Sequence, residues 1–255
     1  MGAGHGGTAG LAVAGTSPLH RLPPEVKIAS TVLFVFTVVA TPREAFWAFG
    51  LHALCLVTLT IVASLPLRLV VRRLRIELPF LAFAVFLPIV GSSPRTHVLG
   101  LSLSQAGLWG AWNILAKGTL GVSASILLAA TTPIADLLRG LDRLHLPKVF
   151  TAITGFMARY LDVIAGEASR MHIARQSRGY DPRWLWQARG VAASAGTLFV
   201  RSFERGERVH LAMQARGYTG TMPILTARRA TVADWATGAA LPLLGAATAI
   251  AALLT

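Results

Sequence analysis

Apolar runs and polar breaks set the frame of this chain. Residues 26–40 are apolar and end at Thr41-Pro42-Arg43-Glu44. Residues 45–65 form a second run, stopped by Pro66. A third run, 79–90, is short and contains Pro88, so its edges are open to extension on either side. Residues 91–104 read as a polar loop with one charge, Arg95. The fourth run, 105–130, stops at Thr131-Thr132-Pro133, and the last, 232–254, has Asp234 at its entrance. A bilayer span needs about 20 apolar residues, fewer where short helices pack together. The pattern therefore predicts an all-α polytopic membrane protein with about five transmembrane helices.

The stretch 132–231 breaks the pattern. It carries helical periodicity without a full span. Ile134, Leu137, Leu138, Leu141 and Leu144 recur every three or four residues, with Asp136, Arg139, Asp142 and Arg143 on the other side. That is a short amphipathic helix, closed by Leu146-Pro147. A second helix is predicted over 148–178. It begins apolar (Val149, Phe150, Ile153, Phe156) and turns charged after Gly166. Asp181-Pro182 breaks the chain, and a third helix is predicted over 184–216, again apolar first and charged later. At about 1.5 Å per residue each is roughly 45 Å long, enough to dip into the membrane boundary and project from it. Trp184, Trp186 and Trp235 suit that boundary. The domain reading is a lead-in over 1–25, four spans within 26–131, a module of long amphipathic helices over 132–231 and the last span over 232–255.

Composition agrees. Over 255 residues, 54% are hydrophobic and 14% charged, and the mean hydropathy is +0.59. The net charge is +13. In a soluble protein that excess would point to nucleic acid; here it concentrates between apolar runs, as positive-inside topology requires, so nucleic acid is not an expected partner. The connection 66–78 holds Arg68, Arg72, Arg73 and Arg75 against Glu77, and 132–231 holds fifteen Lys and Arg against seven Asp and Glu. Both fall on the cytoplasmic side if the N-terminus does. The lone Cys55 sits in an apolar run and reads as a packing residue. Residues 1–16 are rich in Gly and Ala, lack the charged start of a signal peptide, and read as a disordered lead-in in which His5 is solvated.

One stretch occurs twice. Arg170-Met171-His172-Ile173-Ala174-Arg175-Gln176-Ser177-Arg178-Gly179-Tyr180 aligns with Arg208-Val209-His210-Leu211-Ala212-Met213-Gln214-Ala215-Arg216-Gly217-Tyr218 at an offset of 38, with seven of eleven positions identical. Helix formers, then Arg, then Gly is how a helix ends: a cation favours the C-terminal dipole end, and Gly accepts the left-handed conformation beyond it. A cap alone does not require matching His, Ala and Gln. Two copies suggest two similar receptors, and an Arg fork suits carboxylates.

With those motifs in view, the chain resembles the transmembrane T component of energy-coupling factor (ECF) transporters, most of all the CbiQ type of cobalt and nickel importers. That family carries two Ala-Arg-Gly motifs at the tips of two cytoplasmic coupling helices. Here they match Ser177-Arg178-Gly179 and Ala215-Arg216-Gly217, with Ser for Ala in the first. Ala130-Thr131-Thr132-Pro133, the leucine ladder to Leu146-Pro147, Arg159-Tyr160 and Ser17-Pro18-Leu19-His20-Arg21-Leu22 with Lys27 also match, while the family's Asp-Pro-Arg is replaced by Pro23-Pro24-Glu25. The resemblance covers about residues 17–255. It implies a non-catalytic scaffold in the plasma membrane, with the N-terminus and coupling helices cytoplasmic. Its implied partners are two CbiO-like ATPase subunits, which bind the ATP and grip the Arg tips, a CbiM-like substrate-binding membrane subunit and a small CbiN-like one. The implied cargo is cobalt or nickel; a T component serving a vitamin importer, such as a biotin-type one, is the alternative.

Other residues leave room for other readings. No Gly-x-x-x-x-Gly-Lys-Ser/Thr phosphate loop occurs, so ATP is not expected to bind here in that way. Lys117 lies mid-span, where an ionisable group is a functional candidate by default, against a bland role paired in the bundle. His172 and His210 are matched across the repeat and imidazole suits cobalt and nickel, yet they sit on separate helices and read as contact residues; no metal site is expected. Asp162 and Glu167 are expected to pair with neighbouring Arg. Gly118, Gly121, Ser123 and Ser125 form a small-residue face for close packing. An intramembrane enzyme would need paired acids, a Ser/His pair or a metal cluster at membrane depth, and the spans hold Lys117, His52 and scattered Ser.

Overall fold

The structure is a computed structural model that describes residues 12–13, 15–91, 95–98, 101–180, 188–220 and 229–254. It is helical throughout except for one hairpin. In chain order the elements are α1 (Pro18–Arg21), α2 (Pro24–Ala40), α3 (Phe46–Val62), α4 (Leu67–Arg73), a 3₁₀ turn (Leu74–Glu77), α5 (Leu78–Val90), β1 (Arg95–Val98), β2 (Leu101–Ser104), α6 (Gln105–Thr131), α7 (Ile134–Arg143), α8 (Lys148–Ser177), α9 (Ala188–Ala215) and α10 (Val232–Leu254). Two compact units result: Leu11–Leu144 with Arg228–Thr255, and a second drawn from His145–Ala227.

By length and apolar composition, α6, the stretch Val149–Ser177 of α8, and α10 are long enough to cross a bilayer among the described residues; α3 is apolar but shorter. The protein is a multi-pass membrane protein of the all-α class. Its large apolar side chains face outward, as they do when lipid is the solvent: Phe36, Phe80, Phe86 and Leu243 are each more than 60% exposed.

Three expectations change. The third run extends backwards. Residues 67–90 are helical without a break, through α4, the 3₁₀ turn and α5, so the basic connection is itself helix. The polar loop 91–104 contains an antiparallel hairpin pairing Arg95 with Ser104 and Val98 with Leu101; Leu-Ser-Leu-Ser alternates with period two, the strand signal. The small-residue face on α6 is used only in part. A side chain at Gly118 would meet Glu77, and one at Gly107 the backbone of Leu87 and Pro88, whereas Gly121 faces open space. Two glycines on α10 are as tight as Gly107: Gly238 abuts Val26, and Gly245 abuts Thr37 and Phe34. The core of the first unit gathers Phe34, Val38, Phe49, Leu56, Leu120 and Ala124 from α2, α3 and α6.

The start of α2 ties this unit together. Lys27 is buried, and its Nζ donates to the carbonyl of Thr131 at 3.0 Å, to Thr132 Oγ1 at 3.2 Å and to the carbonyl of His20 at 3.4 Å. It thus satisfies the orphan C-terminal carbonyls of α6 and α1. Glu25 is also buried. Its Oε1 accepts from Arg143 Nη1 at 2.7 Å and from the backbone N–H of Ala230 at 3.3 Å. That fastens amphipathic α7 and the entry to α10 onto α2. Gly140 permits it: a side chain there would collide with Ile28 and the backbone at Pro24 and Glu25.

Lys117 has a structural partner. Its Nζ donates to the carbonyl of Val39 at 2.7 Å, in the last turn of α2. His52 is buried between Phe34, ring centroids 5.5 Å apart, and the hydroxyl of Thr248 at 3.0 Å. Cys55 is unpaired and half-buried. Trp184, Trp186, Asp181, Pro182 and His5 lie outside the described residues.

Candidate functional site

The two copies of the repeat end their helices in the same way. At the end of α8, the N–H of Gly179 donates to the carbonyl of Gln176 at 2.9 Å, and that of Tyr180 to Arg175 at 3.1 Å. At the end of α9, Gly217 donates to Gln214 at 2.9 Å, and Tyr218 to Met213 at 3.0 Å. Each is a Schellman cap, with its 5→2 and 6→1 bonds. The glycines take it with φ of +74° and +83°, values an L side chain resists, and nothing lies within 4 Å of where a Cβ would sit. Arg178 and Arg216 are the residues just before these turns, and both are exposed, as are Ser177 and Ala215. Each tip therefore roots an exposed Arg on a fixed backbone turn, open to a partner.

The helices that carry the tips run antiparallel. Arg175 Nη1 donates to Ser194 Oγ at 3.1 Å and to the carbonyl of Gly190 at 3.4 Å; Arg201 Nη1 meets Glu167 Oε1 at 2.7 Å; and Phe156 and Met157 share one groove with Val209 and Met213. Arg178 thus sits beside the start of α9, and Arg216 beside the start of α8. At about 1.5 Å per residue the two tips stand roughly 40 Å apart. The pairing also crosses the two halves: the apolar half of α8 lies along the charged half of α9.

The two ends are braced differently. Around Arg178, Arg175 reaches across to α9, and the Tyr180 hydroxyl accepts from the N–H of Gly190 at 3.3 Å. Glu167 accepts from both Arg170 and Arg201 at 2.7 Å. Around Arg216, Met213 stands where Arg175 does, and Tyr218 has no side-chain hydrogen bond among the described residues. Instead an apolar groove of about 400 Å³ opens, lined by Phe156, Tyr160, Ile164, Gly206, Val209 and Met213. The matched histidines differ too. His172 Nδ1 lies 3.4 Å from Arg175 Nη2, while His210 lines the groove. Among the described residues no three His, Cys, Asp or Glu gather as a metal site. Asp162, expected to pair with an Arg, has no ion pair among the described residues.

A family model described as CbiQ, cobalt transport protein, matches residues 15–225. The chain belongs to the CbiQ family. Members of this family include transmembrane components of ECF transporters. The energy-coupling factor transporter transmembrane protein EcfT of Thermosediminibacter oceani is 26% identical over 226 residues, covering 84% of each chain. The cobalt transport protein CbiQ of Rhodobacter capsulatus is 30% identical over 164 residues, 61% of this chain and 67% of that one. A fused cobalt transport protein CbiMQ of Methanocorpusculum labreanum is 27% identical over 220 residues. The match takes in 83% of this chain but spans 37% of that longer relative.

Sequence reasoning reached the tips but missed the cluster at the start of α2. Pro23-Pro24-Glu25 shows no apolar periodicity that would mark a buried acid. The signal was an acid followed by Lys27 at the mouth of an apolar run, where ionisable groups are costly unless paired.

Proposed function

We propose that this CbiQ-family chain is the non-catalytic coupling subunit of an ECF importer for cobalt or nickel. Arg178 and Arg216 dock in acidic grooves of two cytoplasmic ATPase subunits, which bind the ATP. Motion of those subunits reaches a substrate-binding membrane subunit through α8 and α9. The observation that carries this reading is the pair of identically capped, exposed guanidinium tips, set far enough apart to meet two separate subunits. The cobalt assignment is supported by the relatives named CbiQ and CbiMQ; those named EcfT carry no cargo in their names, and a vitamin importer is the alternative.

The test is co-expression with CbiO-like ATPase subunits and a CbiM-like membrane subunit. Arg178→Glu and Arg216→Glu, singly and together, are expected to reduce ATPase co-purification and cobalt uptake, with the subunit itself still folded. An intact complex and normal uptake in the double variant would refute the reading.

A further inference from the structure

The helix α4 and its 3₁₀ continuation carry charges that the coupling reading does not use. Arg68, Arg72 and Arg75 follow at intervals of four and three residues, so they project along one face. All three are exposed. The opposite face, with Leu69, Val70, Arg73 and Glu77, is the packed one, and Glu77 is buried, taking the hydroxyl of Thr119 at 3.0 Å. The acid nearest in sequence is therefore turned away from the arginine row. Among the described residues, no carboxylate pairs with Arg68, Arg72 or Arg75.

What flanks the row decides where it sits. Leu67, Val71 and Leu78 lie along one side and Ile76 along the other, and Val71 and Ile76 are 65% and 72% exposed. A row of cations in open water has no reason to be edged with bare apolar side chains. A row at the membrane boundary does, since the apolar edges enter the acyl region while the guanidinia stay with the headgroups. The helix then runs without interruption into α5, whose outward Phe80, Phe83 and Phe86 face lipid.

We infer that Arg68, Arg72 and Arg75 form a binding surface for anionic phospholipid headgroups. Arg suits a phosphodiester because its fork donates two parallel hydrogen bonds and stays charged. A net-negative lipid is favoured over a zwitterionic one, whose choline cation opposes the row. This surface stands independently of any role for Arg178 and Arg216.

The test uses the full chain in bilayers of phosphatidylcholine doped with spin-labelled phosphatidylglycerol or spin-labelled phosphatidylcholine, reading the motionally restricted fraction of each. The wild-type chain is expected to prefer phosphatidylglycerol, by up to about fivefold for each guanidinium engaged. The triple variant R68Q/R72Q/R75Q is expected to lose most of that preference, and R68K/R72K/R75K to keep most of it. An unchanged preference in the triple Gln variant overturns the inference. So does loss of a co-expressed ATPase subunit at unchanged lipid preference, which would assign the row to a protein partner. Should the Gln variant fail to fold, salt decides on the wild-type chain. From about 0.01 M to about 1 M the screening length falls from roughly 30 to 3 Å, and a preference that survives that change overturns the inference.

Discussion

The pair Glu25–Arg143 tests how α7 is held. The Glu25 side chain is 6% exposed and that of Arg143 19%, with 2.7 Å between Oε1 and Nη1. Removing Arg143 leaves a buried carboxylate with the Ala230 N–H as its remaining partner in this bond set. Breaking a buried pair from one side costs about 3–5 kcal/mol. Arg143 keeps some contact with solvent, which puts R143M near the lower end, at about 3 kcal/mol. Replacing both partners removes the orphan charge, so E25M/R143M is expected to recover at least about half of that loss. A double-mutant cycle on unfolding in a fixed detergent, scored by the denaturant midpoint, reads this directly. Simple additivity of the two single losses would refute the account, because it would mean that neither residue feels the other.

Three further outcomes follow from the geometry. Gly179→Ala and Gly217→Ala each force an L residue to positive φ at about 1–2 kcal/mol; since a Cβ meets nothing within 4 Å, Leu is expected to cost no more than Ala, and faster amide exchange at Tyr180 and Tyr218 checks it. Gly238→Ala drives a methyl into Val26, so a loss of about 1–3 kcal/mol is expected in thermal stability, relieved by adding Val26→Ala. Lys117→Met removes the bond to Val39 and is expected to lower stability by about 1 kcal/mol while uptake by the proposed transporter stays normal; lost uptake at normal stability would make Lys117 functional.

What could be read from the chain was what depends on neighbours in sequence. Gly179 and Gly217 announce their turns because only the local backbone decides a Schellman cap. The apolar runs gave α2, α3, α6 and α10 nearly at their observed ends for the same reason. What escaped depends on distant partners. Glu25 meets residues 118 and 205 positions away, and Lys27 meets one 104 away. The arginines of α4 looked like a loop because charge was taken as a break, whereas their spacing is helical. Nor did the repeat reveal that its copies run antiparallel, since an internal match carries no direction of packing.

That antiparallel pairing bears on the membrane itself. Taken alone, Val149–Ser177 is long and apolar enough to cross a bilayer. But α9 lies along it in reverse, and beside its apolar half stand Arg201, Glu204, Arg205, Glu207 and Arg208. Inserting that half would carry five charges toward the hydrocarbon, at about 2.5–3.5 kcal/mol each on the insertion scale, for a total of roughly 12 kcal/mol or more. A crossing pair would also leave Arg178 and Arg216 on opposite sides of the membrane. Lying along the bilayer surface, the same pair would keep those five charges out of the hydrocarbon and present both tips on one side. A pair laid flat on the surface, like a beam, avoids that insertion cost. Labels at positions 178 and 216 should then both react with an impermeant reagent added from one and the same side of sealed vesicles, and labelling of one from each side would refute the beam.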